Sequence, residues 1–388
     1  MLRVLTLSTL FPDAVRPRLG PFVERQTLGL AAHPEVELQL VAPLGLPPFP
    51  LNLHPHYRRF KAVPTQEVWK GLTVHRPRFQ HLPGTSGRFD AGALTRRLIP
   101  LLTDIRRTFA FDVIDAEFFF PDGPAAVALG RHFGVPVSIK ARGADIHLWG
   151  QAPATAAQVR SAGCTADGLL AVSQALKADM GRMGMPEDRI TVHYTGVDLS
   201  QFRIVERAVA KAALGVDAPL IVAVGALIPR KGQSLLVEAL PHLPDARLVL
   251  IGEGEDRARL LQQAQSLGVA DRLRLTGNLP HGEIADWLAA ADVMALPSAS
   301  EGLANAWVEA LACGAPIVIT DAGGAREVLQ DDAAGRIVAR TAAGVLAGLK
   351  DVLANPPARS ACRQVAERFT WERNTETLFR HLSLLAGK

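Results

Sequence analysis

The sequence predicts an α/β protein built from two doubly wound, parallel-sheet domains in series. Three observations predict it. The chain has 388 residues, 48% apolar and 21% charged, enough for two domains of about 150–200 residues with separate cores. Short apolar, β-branched runs alternate with amphipathic stretches, which marks parallel strands covered on both faces by helices. The strands end in glycine-rich or polar turns, where sheets of this kind bind ligands.

In the first half the strands are LRVLTLS (2–8), VELQLVA (36–42), DVIDA (112–116), PVSIKA (136–141) and GLLAVS (168–173). Helical patterns lie between several of them, including PFVERQTLGLAA (21–32) and PAAVALGRHF (124–133). Residues 43–90 interrupt the rhythm with Pro, His and Arg and predict an excursion with its own short pairing. Residues 201–219 read as a linker. A second alternation follows: LIVAVG (220–225), ARLVLIG (246–252), RLRLTG (272–277), DVMALP (292–297) and PIVIT (316–320). The last segment, 369–385, spaces Trp371, Leu378, Phe379 and Leu382 as a helix does. Domains are expected at 1–200 and 201–369, with the helix of 370–388 crossing back to the first.

Composition narrows the function. Gly 33 and Pro 27 are spread through the chain, which excludes collagen-like and low-complexity architectures. Cys164, Cys313 and Cys362, with no CxxC pair, exclude a disulfide scaffold and a zinc site and fit a reducing compartment. No apolar run approaches the roughly 20 residues that span a bilayer. The start MLRVLTLSTLFP reads as a buried strand, because it runs on without a small-residue cleavage site. A cytoplasmic protein is expected. No GxGxxG, Walker GK[ST] or DxD occurs, which weakens dinucleotide, ATP and metal-dependent readings. His54, His56, His75 and His81 lack metal-ligand company and read as solvated or acceptor-side residues.

The strongest local signal is SASEGLANAWVEALACGAPIVITDAGGARE (298–327), where Glu301 and Glu309 flank a short helix closed by Gly314 and Pro316. Eight helical residues rise about 12 Å, whereas glycosidase carboxyls sit roughly 5–9.5 Å apart. A helix covering most of that span rules out a direct acid/base dyad and suits a long ligand touched at two places. Gly302, Ala304 and Asn305 put small side chains and free N–H groups at the helix start, where anions and hydroxyls are accepted. Two surface glutamates on an ordinary strand-turn-helix are the plain alternative.

EGLANAWVEALACGAPIV followed by GGARE resembles the donor-site signature of family 4 of the retaining glycosyltransferases. The resemblance runs in order through LSTLFPDAVRPRLGPFVERQ, FFFPDG, KARGAD, AVSQALK, TGVDLSQF, VGALIPRKGQ, VLIGEGE and LTGNLPHGEI. It implies the GT-B fold, two facing Rossmann-like domains with a cleft between them. The first would bind the acceptor and the second a nucleoside-diphosphate sugar. It also implies that Glu309 holds the donor ribose and that Glu301 faces the transferred sugar. The backbone of Gly302, Leu303, Ala304 and Asn305 would contact sugar hydroxyls and the diphosphate. Arg230 and Lys231 would bind the diphosphate, and two cations after a strand suit a leaving group whose charge grows in the transition state. Leu279 would present backbone to the nucleobase, and Gly20, just before a helix opened by Pro21, would approach the diphosphate. No cofactor and no metal are implied.

There are departures. Ala226 stands where the family usually has Arg, and Thr195 stands before GVD where Asn is frequent. The first-domain HG-x-D element appears as Arg142-Gly143-Ala144-Asp145. A guanidinium there can bind sugar hydroxyls or phosphate but cannot serve as a base near neutral pH. Glu117 and Asp122 match no family nucleophile. The resemblance therefore implies same-face substitution, with the departing phosphate taking the acceptor proton.

Residues 54–107 hold 11 basic side chains against 3 acidic ones. The segment 91–109 sets Leu94, Leu98, Leu101, Leu102 and Ile105 opposite Arg96, Arg97, Arg106 and Arg107, with a bend expected at Pro100. A domain helix with a basic outer face is one reading; a face meeting an anionic membrane is the other. Nucleic acid is excluded as a partner, since the basic residues lack interleaved aromatics. The expected activity is sugar transfer to a glycan or lipid-linked hydroxyl in surface or extracellular polysaccharide assembly. A GT-B sugar-nucleotide epimerase and a catalytically silent sugar-nucleotide-binding subunit remain as alternatives.

Overall fold

A computed structural model describes residues 1–388. The chain divides into two compact units, Met1–Tyr194 with Trp371–Lys388, and Thr195–Thr370.

The first unit carries β1 (Leu2–Leu7), β2 (Val36–Val41), β3 (Leu44–Leu46), β4 (Gln66–Trp69), β5 (Leu72–His75), β6 (Arg78–Gln80), β7 (Val113–Ala116), β8 (Val137–Ala141), β9 (Gly168–Ala171) and β10 (Ile190–Val192). Eight of these form one sheet in the order β10-β9-β8-β7-β1-β2-β5-β4. Every pairing is parallel except the β4–β5 hairpin. β7, β8 and β9 are buried at every residue, as strands covered on both faces must be. The excursion pairs internally through β3 and β6 and joins the main sheet through β5.

The helix Asp90–Arg106 runs unbroken through Pro100. Its Leu94, Leu98, Leu102 and Ile105 all lie in the main core. The apolar stripe is thus already covered by protein, and only the basic outer face remains to the surface. The C-terminal helix Trp371–Ala386 belongs to this unit, where Leu378 and Leu382 pack with Leu2, Val4, Leu30 and Val113.

The second unit carries β11 (Leu220–Val224), β12 (Arg247–Ile251), β13 (Leu273–Gly277), β14 (Val293–Leu296), β15 (Ile317–Thr320) and β16 (Gly335–Val338). All are parallel, in the order β13-β12-β11-β14-β15-β16. The stretch read as a linker contains a helix, Arg207–Ala213. Arg207 and Lys211 pair with Asp292 at 3.3 and 2.5 Å, so a short polar segment is fixed by tertiary charge contacts. β10 is only three residues long, and β16 (GRIV) opens on a glycine and an arginine and is mostly half-buried, so neither stands out as an apolar run. No helix is long and apolar enough to cross a membrane.

Candidate functional site

In the second unit the strand order reverses between β11 and β14. Such a reversal opens a crevice outside the carboxyl ends of the strands. The turns that leave these ends are tied together. Ala299 N donates to Arg230 O at 2.7 Å, the Arg230 guanidinium to Ser300 O, and Gly324 N to Gly302 O at 2.7 Å. Two glycines make the close approach feasible. A Cβ on Gly232 (φ +73°) would lie 2.3 Å from Pro297 O, and one on Gly323 (φ +54°) 2.1 Å from Glu301 O. Arg340, just past β16, donates to Pro297 O at 3.1 Å and Pro229 O at 3.0 Å, clamping the two main turns.

The charged side chains converge on one carboxylate. Lys231 Nζ donates to Glu301 Oε1, and Arg230 lies 3.6 Å from Oε2. The Arg230 side chain is 45% exposed, that of Lys231 14% and that of Glu301 8%. Gly302, Leu303 and Ala304 are buried beside them, and Asn305 opens the helix Asn305–Ala312. That helix is held by fully buried Trp307 and closed at Gly314 (φ +75°), with Ala315 N donating to Ala310 O and Gly314 N to Leu311 O. Arg359 and Arg363 donate to Cys313 O and Ala312 O, both at 2.9 Å, meeting the negative end of the helix dipole.

The 12 Å spacing expected between Glu301 and Glu309 does not follow, because the helix begins only at Asn305. The two carboxylates have different partners: Glu309 Oε1 lies 3.3 Å from His281 Nε2, whereas Glu301 pairs with Lys231 and Arg230. Leu279, half-buried, lies in the turn between β13 and the helix His281–Ala290. Ala226, which stands where the resemblance implied an Arg, is exposed.

The first unit reverses its order between β1 and β7. Here the strand ends are filled with buried polar side chains. Arg142, its side chain 6% exposed, donates through Nε to Glu117 O at 2.8 Å, pairs with the Glu117 carboxylate, and lies 4.8 Å over the Phe22 ring. Asp145 is fully buried and accepts from the backbone N–H groups of Arg142, Gly143, Phe119 and Ile146. It therefore fixes the loop that carries Arg142. Gly20 (φ +55°) starts the helix Pro21–Ala31, and a Cβ there would lie 2.0 Å from Leu10 O. Gly20 is thus required by the turn itself.

Behind Arg142 lies a network to which sequence reasoning assigned no role. Lys140, without exposed surface, donates to Gln26 and lies 2.8 Å from His193 Nδ1; Gln26 in turn donates to Glu117. Burial pushes Lys140 and His193 down and Asp115 up. Burial also lifts Asp122 to about 7, against the opposing bond from Thr9 N at 2.9 Å. The one sequence signal for this network is a lysine inside the apolar run PVSIKA. Arg340 had no signal, since its partners are backbone carbonyls far away in sequence.

Chemically, the second unit offers two partly exposed cations, a buried carboxylate and a backbone-lined turn leading into a helix N-terminus. The comparisons with known proteins agree on the family. The model of glycosyl transferases group 1 matches residues 205–369, and that of glycosyltransferase family 4 matches residues 35–201. A GDP-mannose-dependent alpha-(1-6)-phosphatidylinositol monomannoside mannosyltransferase of Mycolicibacterium smegmatis is 32% identical over 260 residues, 62% of this chain and 67% of the relative. The chain belongs to glycosyltransferase family 4. A protein named as a teichuronic acid biosynthesis glycosyltransferase, TuaC of Bacillus subtilis, is 28% identical over 83% of this chain and 82% of its own. The fold of this family 4 glycosyltransferase is GT-B. Sucrose-phosphate synthase from Thermosynechococcus elongatus superposes with TM-score 0.82 at 20% identity over all of both chains. Anabaena HepE in complex with UDP and glucose superposes with TM-score 0.74 at 19% identity, over 99% of this chain and 100% of that one.

Proposed function

We propose that this glycosyltransferase retains the anomeric configuration while moving a sugar from a nucleoside diphosphate to a hydroxyl of a glycan or lipid-linked acceptor. The observation that carries the reading is the convergence of Lys231 and Arg230 on Glu301 at the strand reversal of the second unit. A diphosphate and the Glu301 carboxylate compete for the same two cations. Uptake of the donor would hand the cations to the diphosphate and release Glu301 to the hydroxyls of the transferred sugar. Glu309 would hold the ribose, Leu279 the base through its backbone, and residues 302–305 the sugar and phosphates.

In the reaction the C1–O bond to the diphosphate breaks as the acceptor oxygen bonds C1 on the same face. The acceptor proton passes to the departing phosphate oxygen. Arg230, Lys231 and the backbone N–H groups stabilise the growing charge in the place of a metal ion. In the first unit Arg142, locked by Glu117 and Asp145, would meet the acceptor or the transferred sugar, with the Gly20 turn facing the diphosphate. The relatives named for phosphatidylinositol mannoside and teichuronic acid synthesis support an acceptor in surface polysaccharide or glycolipid assembly.

Incubation with a panel of nucleotide sugars tests the reading, with NMR of the anomeric proton. Transfer or slow hydrolysis with retained configuration, undiminished by a chelator, is expected. An isomerised donor would make the protein an epimerase, and binding without turnover a silent subunit; either result overturns the proposal.

A further inference from the structure

We propose that the tip formed by residues 49–61 is a docking surface that seats the chain on a bilayer rich in anionic lipid. The inference extends the lipid-linked acceptor reading above. Three of the twelve exposed large hydrophobic side chains fall within five residues: Phe49 at 77%, Leu51 at 53% and Leu53 at 49%. Single exposed apolar side chains are ordinary, whereas a cluster of them is not.

Charge names the occupant. Residues 38–66 contain no Asp or Glu, and Arg58, Arg59 and Lys61 are exposed directly after the apolar cluster, with His54 and His56 between. The outward position is built into the fold. Phe60 and Val63 are buried with Leu44 against Val15 and Leu46, and the guanidinium carbons of Arg16 and Arg59 lie 4.8 and 5.1 Å over the Phe60 ring. Arg78 donates to Val63 O and to Pro64 O. The root of the excursion is therefore packed and bonded, and the tip is left facing water. An apolar tip followed by unopposed cations suits an interface where acyl chains lie beneath anionic headgroups. The tip follows β3, which pairs with β6 outside the main sheet. The helix Asp90–Arg106 cannot play this part, because its leucines are spent on the core.

Flotation of the full chain with phosphatidylcholine vesicles, with and without a quarter of phosphatidylglycerol, tests the proposal. Binding to the anionic vesicles alone, reversed by high salt, is expected. The triple variant Arg58→Gln, Arg59→Gln, Lys61→Gln should bind them on the order of a hundred-fold more weakly. Phe49→Ser, Leu51→Ser, Leu53→Ser should lose binding as well, and the emission of Leu51→Trp should shift to the blue on anionic vesicles. The Trp variant answers the question even should the serine variant fail to fold. Absence of flotation, or flotation equal to wild type in both triple variants, overturns the proposal. Self-association abolished by the serine variant without flotation would assign the tip to a second copy and also overturns it. Turnover of nucleotide sugar in the same samples separates the two readings. Turnover without flotation sinks the docking surface alone, and flotation with every nucleotide sugar inert sinks the transferase reading alone.

Discussion

The two units solve the same architectural problem in opposite ways. Each reverses its strand order once, between β1 and β7 or between β11 and β14, and each gathers charged residues at the strand ends there. In the first unit several of those charges are buried and bonded: Arg142 with Glu117, Lys140 with Gln26 and His193, Asp145 with four backbone groups. In the second, two partly exposed cations share one carboxylate above turns brought together by glycines. A closed network positions a single guanidinium and stabilises the unit that holds it. An under-committed one can exchange its internal anion for a ligand's at little cost. Substitutions should therefore cost stability in the first unit and donor handling in the second.

The largest effect is expected at Glu117. Glu117→Ala leaves the Arg142 guanidinium buried without its partner, which costs about 3–5 kcal/mol. Denaturant unfolding should show it; a loss near zero would mean that solvent reaches Arg142 and would erase the contrast between the units.

Asp122 should make the first unit pH-sensitive by up to about 4 kcal/mol. Its folded pKa is raised from 3.8 to about 7. Between those values the folded state binds more protons than the unfolded one, so stability is full below pH 4 and is lost as pH rises to 7. Asp122→Asn removes that slope, and unfolding curves of variant and wild type should converge in stability at low pH and separate as pH rises. Parallel curves would contradict the shift.

Lys231→Ala should remove a charge-assisted contact of about 1.5–3 kcal/mol, one to two decades in kcat/KM. The melting temperature should stay near wild type, since Arg230 still lies 3.6 Å from the Glu301 carboxylate. Wild-type turnover would remove Lys231 from the donor site.

The smallest effect sharpens the comparison most. Glu301→Gln deletes the competing anion, so a free nucleoside diphosphate should bind a few-fold more tightly while transfer slows. Calorimetry and a rate assay read the two separately. Weaker diphosphate binding would show that Glu301 helps the cations instead of competing for them.

Much of the fold could be read from periodicity, because strands buried on both faces are mostly apolar: β14 (VMAL) is so throughout, and β7, β8 and β15 depart from it only at Asp115, at Ser138 and Lys140, and at Thr320. What escaped was short or polar. β10 has only three residues, β16 (GRIV) is polar at its start and mostly half-buried, and the helix Arg207–Ala213 buries none of its side chains and answers to Asp292 instead. The donor-side candidates were readable because their motif is local. Arg340 and Gln26 were not, because nothing near them in sequence announces the carbonyl or carboxylate they serve.

From the sequence alone came the two alternations, the paired-glutamate segment and the family. Only the tertiary structure brought Lys231 to Glu301 across 70 residues, set Arg142 against Glu117, and tied Arg340 to the carbonyls of Pro229 and Pro297. The physical reason is common to all three. Local pattern records which face of an element must leave water, whereas strand order decides which turns meet, and that order is set by packing between segments far apart in the chain.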